Sequence, residues 1–209
     1  MADSFPKYDV LAKRDTPSWN DRTREVIDHR LSLTVPPDVL SATQLATLRR
    51  VVARVVPDPA DRPPTTTLAM VVHRIGGDAG DGFRHHKLLG LAECWRRALD
   101  AIEAEARERH GKEFAALGDE DADALLRAVQ QGDVNAALWG GLPPQLVWSW
   151  RIIPDLVSAH WAQPSLWSAM GFGGPASPRG YVRTGLNRRD PWEAVEEGEA
   201  LTGLPRHRA

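Results

Sequence analysis

The chain has 209 residues, a formal net charge of −2 at pH 7 and a hydrophobic fraction of 42%. This is enough apolar material for a packed core in one domain or two small ones, and the charge balance gives no bulk attraction to nucleic acid. The single cysteine, Cys94, excludes an internal disulfide and a cysteine-pair metal motif, and no run of about 18 apolar residues predicts a membrane-spanning helix.

Helix signals follow one another along the chain, separated by proline or glycine. Residues 1–17 are predicted to be extended. Helices are predicted from Ser18–Asp21 onward, from Ser41, over 65–75, over 88–110, from Asp119 to Gly132 and over 145–162, followed by a turn at 165–170 and an exposed helix near 191–199. Ser41, with Gln44 three residues later, forms a capping-box pattern.

The predicted fold is therefore mainly α: an irregular multi-helix bundle with a long, ordered C-terminal loop rich in Gly, Pro and Trp. Few runs alternate apolar and polar residues at the period of a strand. We expect an extended arm and short helix at 1–40, a helical domain at 41–199 and a flexible tail at 200–209.

Two helices have distinctive patterns. In the 88–110 helix an apolar stripe predicts the buried face, and a charged outer face is predicted opposite it, comprising Glu103, Glu105, Arg107 and Glu108. The 145–162 helix is apolar on most sides, which predicts burial on most sides. Pro154 is expected to kink or interrupt it.

The segment 160–192 is the most unusual stretch. Its Gly171–Pro175 run cannot continue a helix, and its tryptophans argue against disorder. Six of the eight tryptophans lie between Trp139 and Trp192, which marks this half as main core or docking surface. The glycines do not follow a strand, open a helix or show the spacing of a dinucleotide fingerprint.

Two candidate chemical sites remain as an alternative to an interaction role. Asp155 and His160 can form an acid–base pair, although a buried Asp beside a proline more often accepts backbone N–H groups. The adjacent His85 and His86 can hold a metal, although the simpler prediction is a surface pair. The alternative function is thus a small stand-alone enzyme or metal-binding protein that uses one of these pairs.

Arginine and aromatic residues alternate in the C-terminal segment, a composition typical of interface anchors. We therefore predict partner binding, with no catalytic, cofactor or metal residue in this chain. The predicted partner-binding residues are Trp161, Trp167, Phe172, Arg179, Tyr181, Arg183, Arg188 and Trp192.

Several runs together resemble the gluconate 2-dehydrogenase subunit 3 family. They are Tyr8–Trp19, Gly132-Asp133, and the series Asp155, His160-Trp161, Pro164, Trp167, Gly171–Pro175 and Pro178–Tyr181. The resemblance covers most of the chain. It differs from the family pattern at His160-Trp161, where tyrosines are common.

The resemblance implies a small accessory subunit without a flavin of its own. Its implied partner is a FAD-dependent sugar or alcohol dehydrogenase of the glucose–methanol–choline type, often with a cytochrome c subunit that carries haem c. The small subunit supports maturation, stability and export of the catalytic chain, often with a twin-arginine signal. No such signal occurs in this sequence, so we expect a cytoplasmic protein or one exported with its partner. No nucleic acid and no direct membrane span are expected.

Overall fold

In the computed structural model of the protein, residues 3–78, 80, 82–181 and 190–194 are described. These residues form eight α-helices: α1 (Asp21–Ser32), α2 (Ala42–Val55), α3 (Thr67–Gly77), α4 (Leu91–His110), α5 (Asp119–Gln131), α6 (Pro144–Val147), α7 (Ile153–His160) and α8 (Pro164–Ala169). Short 3-10 turns lie at Val10–Lys13, Phe114–Ala116 and Ala136–Trp139. Since the described residues contain no strand, the mainly α prediction is confirmed. None of the described helices has the length and apolar character needed to cross a bilayer.

Contacts between Cα atoms divide the chain into two compact units. Unit 1 comprises the described residues of Met1–Leu31, Pro59–Pro64 and Ala162–Ala209. Unit 2 comprises the remainder, Ser32–Asp58 and Thr65–Trp161, and therefore contains α2 to α7 with most of the core.

Helix α4 forms the centre of unit 2. Trp95, Leu99 and Ile102 of the predicted stripe are fully buried among residues of α2, α3, α5 and α7. The helix begins at Leu91, three residues later than predicted, because the preceding residues form a turn in which the Leu88 N–H donates to the His85 carbonyl. The helix ends where predicted, at a left-handed glycine, Gly111.

The predicted start of α2 is confirmed in atomic detail. Ser41 Oγ accepts from the Gln44 N–H at 3.1 Å, and Gln44 Oε1 accepts from the Ser41 N–H at 3.0 Å. Both bonds satisfy donors that a helix N-terminus otherwise leaves unpaired. The capping box therefore sets the direction in which α2 leaves its preceding loop.

The predicted charged face of α4 is wrong for Glu103 and Glu105, which are both buried. Glu103 accepts from the Phe114 N–H at 3.0 Å and from Thr47 Oγ1 at 3.2 Å. Glu105, two residues later, accepts from the Asn135 N–H at 2.7 Å. Glu103 thus anchors the loop after α4, and Glu105 anchors the loop after α5. The helical pattern could not predict this because the donors come from distant segments.

Unit 1 is built around a smaller core of Val10, Trp19, Ile27 and Trp167. The N-terminal arm joins the C-terminal loop here: Trp19 and Ser177 form an isolated parallel bridge, and the Trp19 indole N–H donates to the Pro175 carbonyl at 2.9 Å. Residues at opposite ends of the sequence therefore fold together, which orders the long loop.

Candidate interaction surfaces

The helical stretch from α6 to α7 is continuous but contains a π-helical turn, Trp148–Ile152. Pro154 lacks an N–H and cannot complete a normal helical bond. Just before it, the Ile153 N–H donates to the Trp148 carbonyl five residues back, which is the bonding pattern of a π turn. The predicted disturbance at Pro154 therefore takes the form of one widened turn on its N-terminal side.

One side of this helical stretch carries exposed apolar side chains. Trp150 is 44% exposed, Val157 37% and Trp161 47%. We call these three residues the outer stripe; Ile153, which lies between them in the sequence, is half-buried. The prediction that the stretch is buried on most sides is wrong on this side, where these three side chains are exposed.

An aromatic groove adjoins the outer stripe within unit 2. We define it by Phe83, Arg84, His85, Trp150 and Pro154; it encloses about 350 Å³. Phe83 is 70% exposed, and its ring meets Trp150 edge to face with 6.5 Å between centroids. The His85 ring lies 5.5 Å from the same tryptophan. The groove is therefore an open, ring-lined surface next to an exposed helix.

Asp155 has partners that the sequence did not predict. Its Oδ2 accepts from the Trp95 indole N–H at 2.7 Å, and both of its carboxylate oxygens lie 3.4 Å from a guanidinium nitrogen of Arg151. The expectation that it accepts backbone N–H groups beside Pro154 is wrong, because its partners are the side chains of Trp95, Arg151 and Arg74. Asp155 instead ties α7 to the N-terminal part of α4.

His160 does not share a hydrogen bond with Asp155. Its Nδ1 lies 3.1 Å from Thr67 Oγ1, which lies 2.7 Å from Thr65 Oγ1, and Thr65 donates to Asp58 at 2.7 Å. Burial lowers the pKa of His160, and the Asp58 carboxylate opposes that shift. The acid–base pair of the alternative function is therefore replaced by a longer chain that leads to a different carboxylate.

His85 and His86 stack on each other, with 4.6 Å between ring centroids. Among the described residues no group of three or more His, Cys, Asp or Glu side chains is arranged to hold a metal. Cys94 is fully buried, and burial raises the pKa of its thiol. The histidine pair thus forms part of the aromatic surface next to Trp150.

In unit 1 the glycine run makes a compact loop under Tyr181. Gly174 has a φ of +63° and packs against the buried Trp167 ring, where a Cβ would lie 2.9 Å from the ring. The Tyr181 hydroxyl donates to the Gly174 carbonyl. Phe172 lies edge-on to Trp167, with 6.0 Å between centroids. Here glycine is required by both the backbone conformation and the close approach.

Lys13 closes this loop from the N-terminal arm. It is only 1% exposed, and its Nζ lies 5.8 Å from the Trp19 ring centroid and 5.4 Å from that of Tyr181. Burial lowers the pKa of Lys13, while the Glu193 carboxylate opposes that shift. An ammonium between two rings is stabilised by their negative faces, so the cation holds the loop against the arm.

The predicted partner-binding residues have different environments. Trp161 of unit 2 and Phe172 and Tyr181 of unit 1 are exposed, whereas Trp167 belongs to the core of unit 1. Arg179 forms an ion pair with Asp190 at 2.6 Å, and its guanidinium lies 5.5 Å from the half-buried Trp192 ring. Arg183 and Arg188 lie outside the described residues.

The family model described as gluconate 2-dehydrogenase subunit 3 matches residues 42–174. The chain belongs to this family. Comparison with curated proteins and with solved structures gives no significant match. As a member of the gluconate 2-dehydrogenase subunit 3 family, it is related to the accessory subunit of a dehydrogenase complex.

The matched segment contains the outer stripe and the aromatic groove completely, whereas Arg179, Tyr181 and Trp192 lie beyond it. Sequence reasoning missed Phe83, Trp150 and Val157 as surface residues. A signal existed for Phe83, which follows a glycine-rich loop and precedes a basic run. For the other two residues no sequence signal distinguishes an uncovered helix face from a covered one when all its faces are apolar.

Proposed function

We propose that this protein is a non-catalytic accessory subunit that binds and stabilises a FAD-dependent dehydrogenase catalytic subunit of the glucose–methanol–choline type. One observation carries the proposal: the outer stripe, Trp150, Val157 and Trp161, is exposed on one helical stretch inside the segment that matches the family. Clustered exposed apolar side chains are typical of interaction sites, and tryptophan is prominent among residues that dominate binding energy.

Binding stabilises the catalytic subunit by mass action, because a partner that binds only the folded flavoprotein draws the folding equilibrium toward it. The FAD belongs to that partner, and haem c belongs to a cytochrome c subunit where one joins the complex. The same binding gives the catalytic chain a folded companion during maturation or export.

The exposed residues of unit 1 provide a second part of the proposed contact. Phe172 and Tyr181 present aromatic surface on a loop that is already ordered by hydrogen bonds and by Lys13. A pre-ordered loop loses less conformational entropy when it binds than a mobile one. Arg183 and Arg188 extend this proposal on sequence alone, and Trp167 supports the loop from inside the core.

The test is co-expression with a candidate FAD-dependent dehydrogenase of the glucose–methanol–choline type, followed by purification through a tag on this chain. Val157→Arg places a charge in the outer stripe, and Val26→Arg is its matched control, because both valines are helical and 37% exposed. We expect the wild type and the control to retain flavin absorbance in the eluate and Val157→Arg to lose it.

Titration of one purified subunit with the other measures how much each variant changes the Kd of the complex. Truncation of an anchor tryptophan costs about 2 kcal/mol or more, so Trp161→Ala should raise Kd by about 30-fold. If the wild type retains no flavoprotein, the proposed function is wrong. If both valine variants bind like the wild type, the outer stripe is not the contact.

A further inference from the structure

We propose that the aromatic groove binds an extended acidic segment of the catalytic subunit, with an apolar side chain of that segment packed against both Phe83 and Trp150. This inference rests on the proposed function and adds the chemistry of the recognised segment. It is carried by the ring geometry of the groove and by the charges around it.

The groove is shaped for an apolar side chain. The Phe83 and Trp150 rings meet at 81°, so they form two nearly perpendicular faces of the groove. The His85 ring lies 5.5 Å from the Trp150 ring and adds a third face. Because Phe83 is 70% exposed, the isolated protein lacks the favourable free energy that burial of this ring would give. A volume of about 350 Å³ suits one or two side chains rather than a large cofactor.

The edge of the groove is basic. Arg84 donates to the Leu88 carbonyl at 2.8 Å and has no ion pair among the described residues, so the bond fixes its guanidinium without neutralising it. Lys87 is exposed on the same short segment and likewise lacks a carboxylate partner in the described structure. Arg151, which also lines the groove, forms an ion pair with the buried Asp155 at 3.4 Å.

The described lining therefore includes cations, rings and an imidazole and no carboxylate. Carboxylates on a partner would complement Arg84 and Lys87 and would speed association by electrostatic steering. Since the groove adjoins Trp150 of the outer stripe, a partner on the stripe brings such a segment within reach. These features favour an acidic segment of the same partner over a second, unrelated ligand.

The experiment uses the full chain and the purified catalytic subunit, with Kd measured at low and high salt. Lys87→Glu is compared with Lys112→Glu, an exposed lysine elsewhere in unit 2. We expect Lys87→Glu to raise Kd about tenfold at low salt, mainly through slower association, and to flatten the salt dependence. Lys112→Glu should bind like the wild type, and Phe83→Ser should weaken binding about tenfold at both salt concentrations.

A photo-reactive benzoyl-phenylalanine at position 83 identifies the occupant. A cross-link to a segment of the catalytic subunit that contains several carboxylates supports the inference. A cross-link to a basic or neutral segment, to a second copy of this chain, or to nothing while the complex is intact overturns it. If the complex forms and the groove variants bind like the wild type, this inference fails alone, whereas absence of any complex removes the proposed function as well.

Discussion

Replacement of Glu105 tests whether buried carboxylates anchor the loops around α4. Its Oε1 accepts from the Asn135 N–H at 2.7 Å and from the Trp139 indole N–H at 3.3 Å, and the residue is 1% exposed. Arg109 also donates to it at 2.9 Å, but that arginine is partly exposed and its pairing contributes little. Glu105→Ala removes the charged acceptor of the buried Trp139 indole N–H and of the part-buried Asn135 N–H, and each such bond contributes roughly 1.5–3 kcal/mol.

We therefore expect Glu105→Ala to lower the free energy of unfolding by about 4 kcal/mol and Tm by about 10 °C. Urea denaturation followed by far-UV circular dichroism measures the first quantity, and thermal denaturation the second. Glu108→Ala is the control: its carboxylate bonds to the Asn135 side chain at an exposed position, and it should cost about 0.5 kcal/mol. A loss below about 1 kcal/mol in Glu105→Ala, or equal losses in both variants, would refute the reasoning.

Two further predictions concern pH and the glycine loop. Burial lowers the folded-state pKa of His160, so below about pH 6.5 the unfolded chain binds more protons than the folded protein does. Tm should therefore drop more steeply from pH 7 to pH 5 in the wild type than in His160→Asn. Equal slopes of Tm against pH in the two proteins would contradict this. Gly174→Ala should lower the free energy of unfolding more than Gly180→Ala does, as measured by urea unfolding followed by tryptophan fluorescence. Both glycines have positive φ, but only Gly174 lies close to Trp167. The backbone strain common to both variants costs roughly 1 kcal/mol, and crowding against the ring costs Gly174→Ala roughly 1–3 kcal/mol more. Equal costs would show that the ring moves aside.

The sequence predicts the helices well because their signals are local. The capping box at Ser41, the apolar stripe of α4 and the glycine at position 111 each depend on residues within a few positions of one another. The start of α4 is less well predicted, since Leu88 is apolar and buried but belongs to a turn. An apolar pattern indicates burial, and burial does not require a helix.

The candidate surfaces were predicted only in part because they depend on distant contacts. Trp161, Phe172 and Tyr181 were predicted as surface anchors and are exposed, and their role in binding stays a proposal. Trp167 has the same composition-based signal but lies in a core formed with Val10 from the other end of the chain. Nothing in the local sequence distinguishes a tryptophan that is buried in a core from one that is exposed at the surface.

The two threonines between Asp58 and His160 give their hydrogen-bond chain a direction. An ionised carboxylate only accepts, so the Thr65 hydroxyl donates to Asp58 and leaves its oxygen to accept from the Thr67 hydroxyl. Thr67 Oγ1 must then accept from His160 Nδ1, which consequently carries the proton of the neutral ring. The basic lone pair of the His160 ring therefore lies on Nε2. The Asp58 carboxylate thus selects the tautomer of His160 through two threonine hydroxyl groups, without contacting the imidazole.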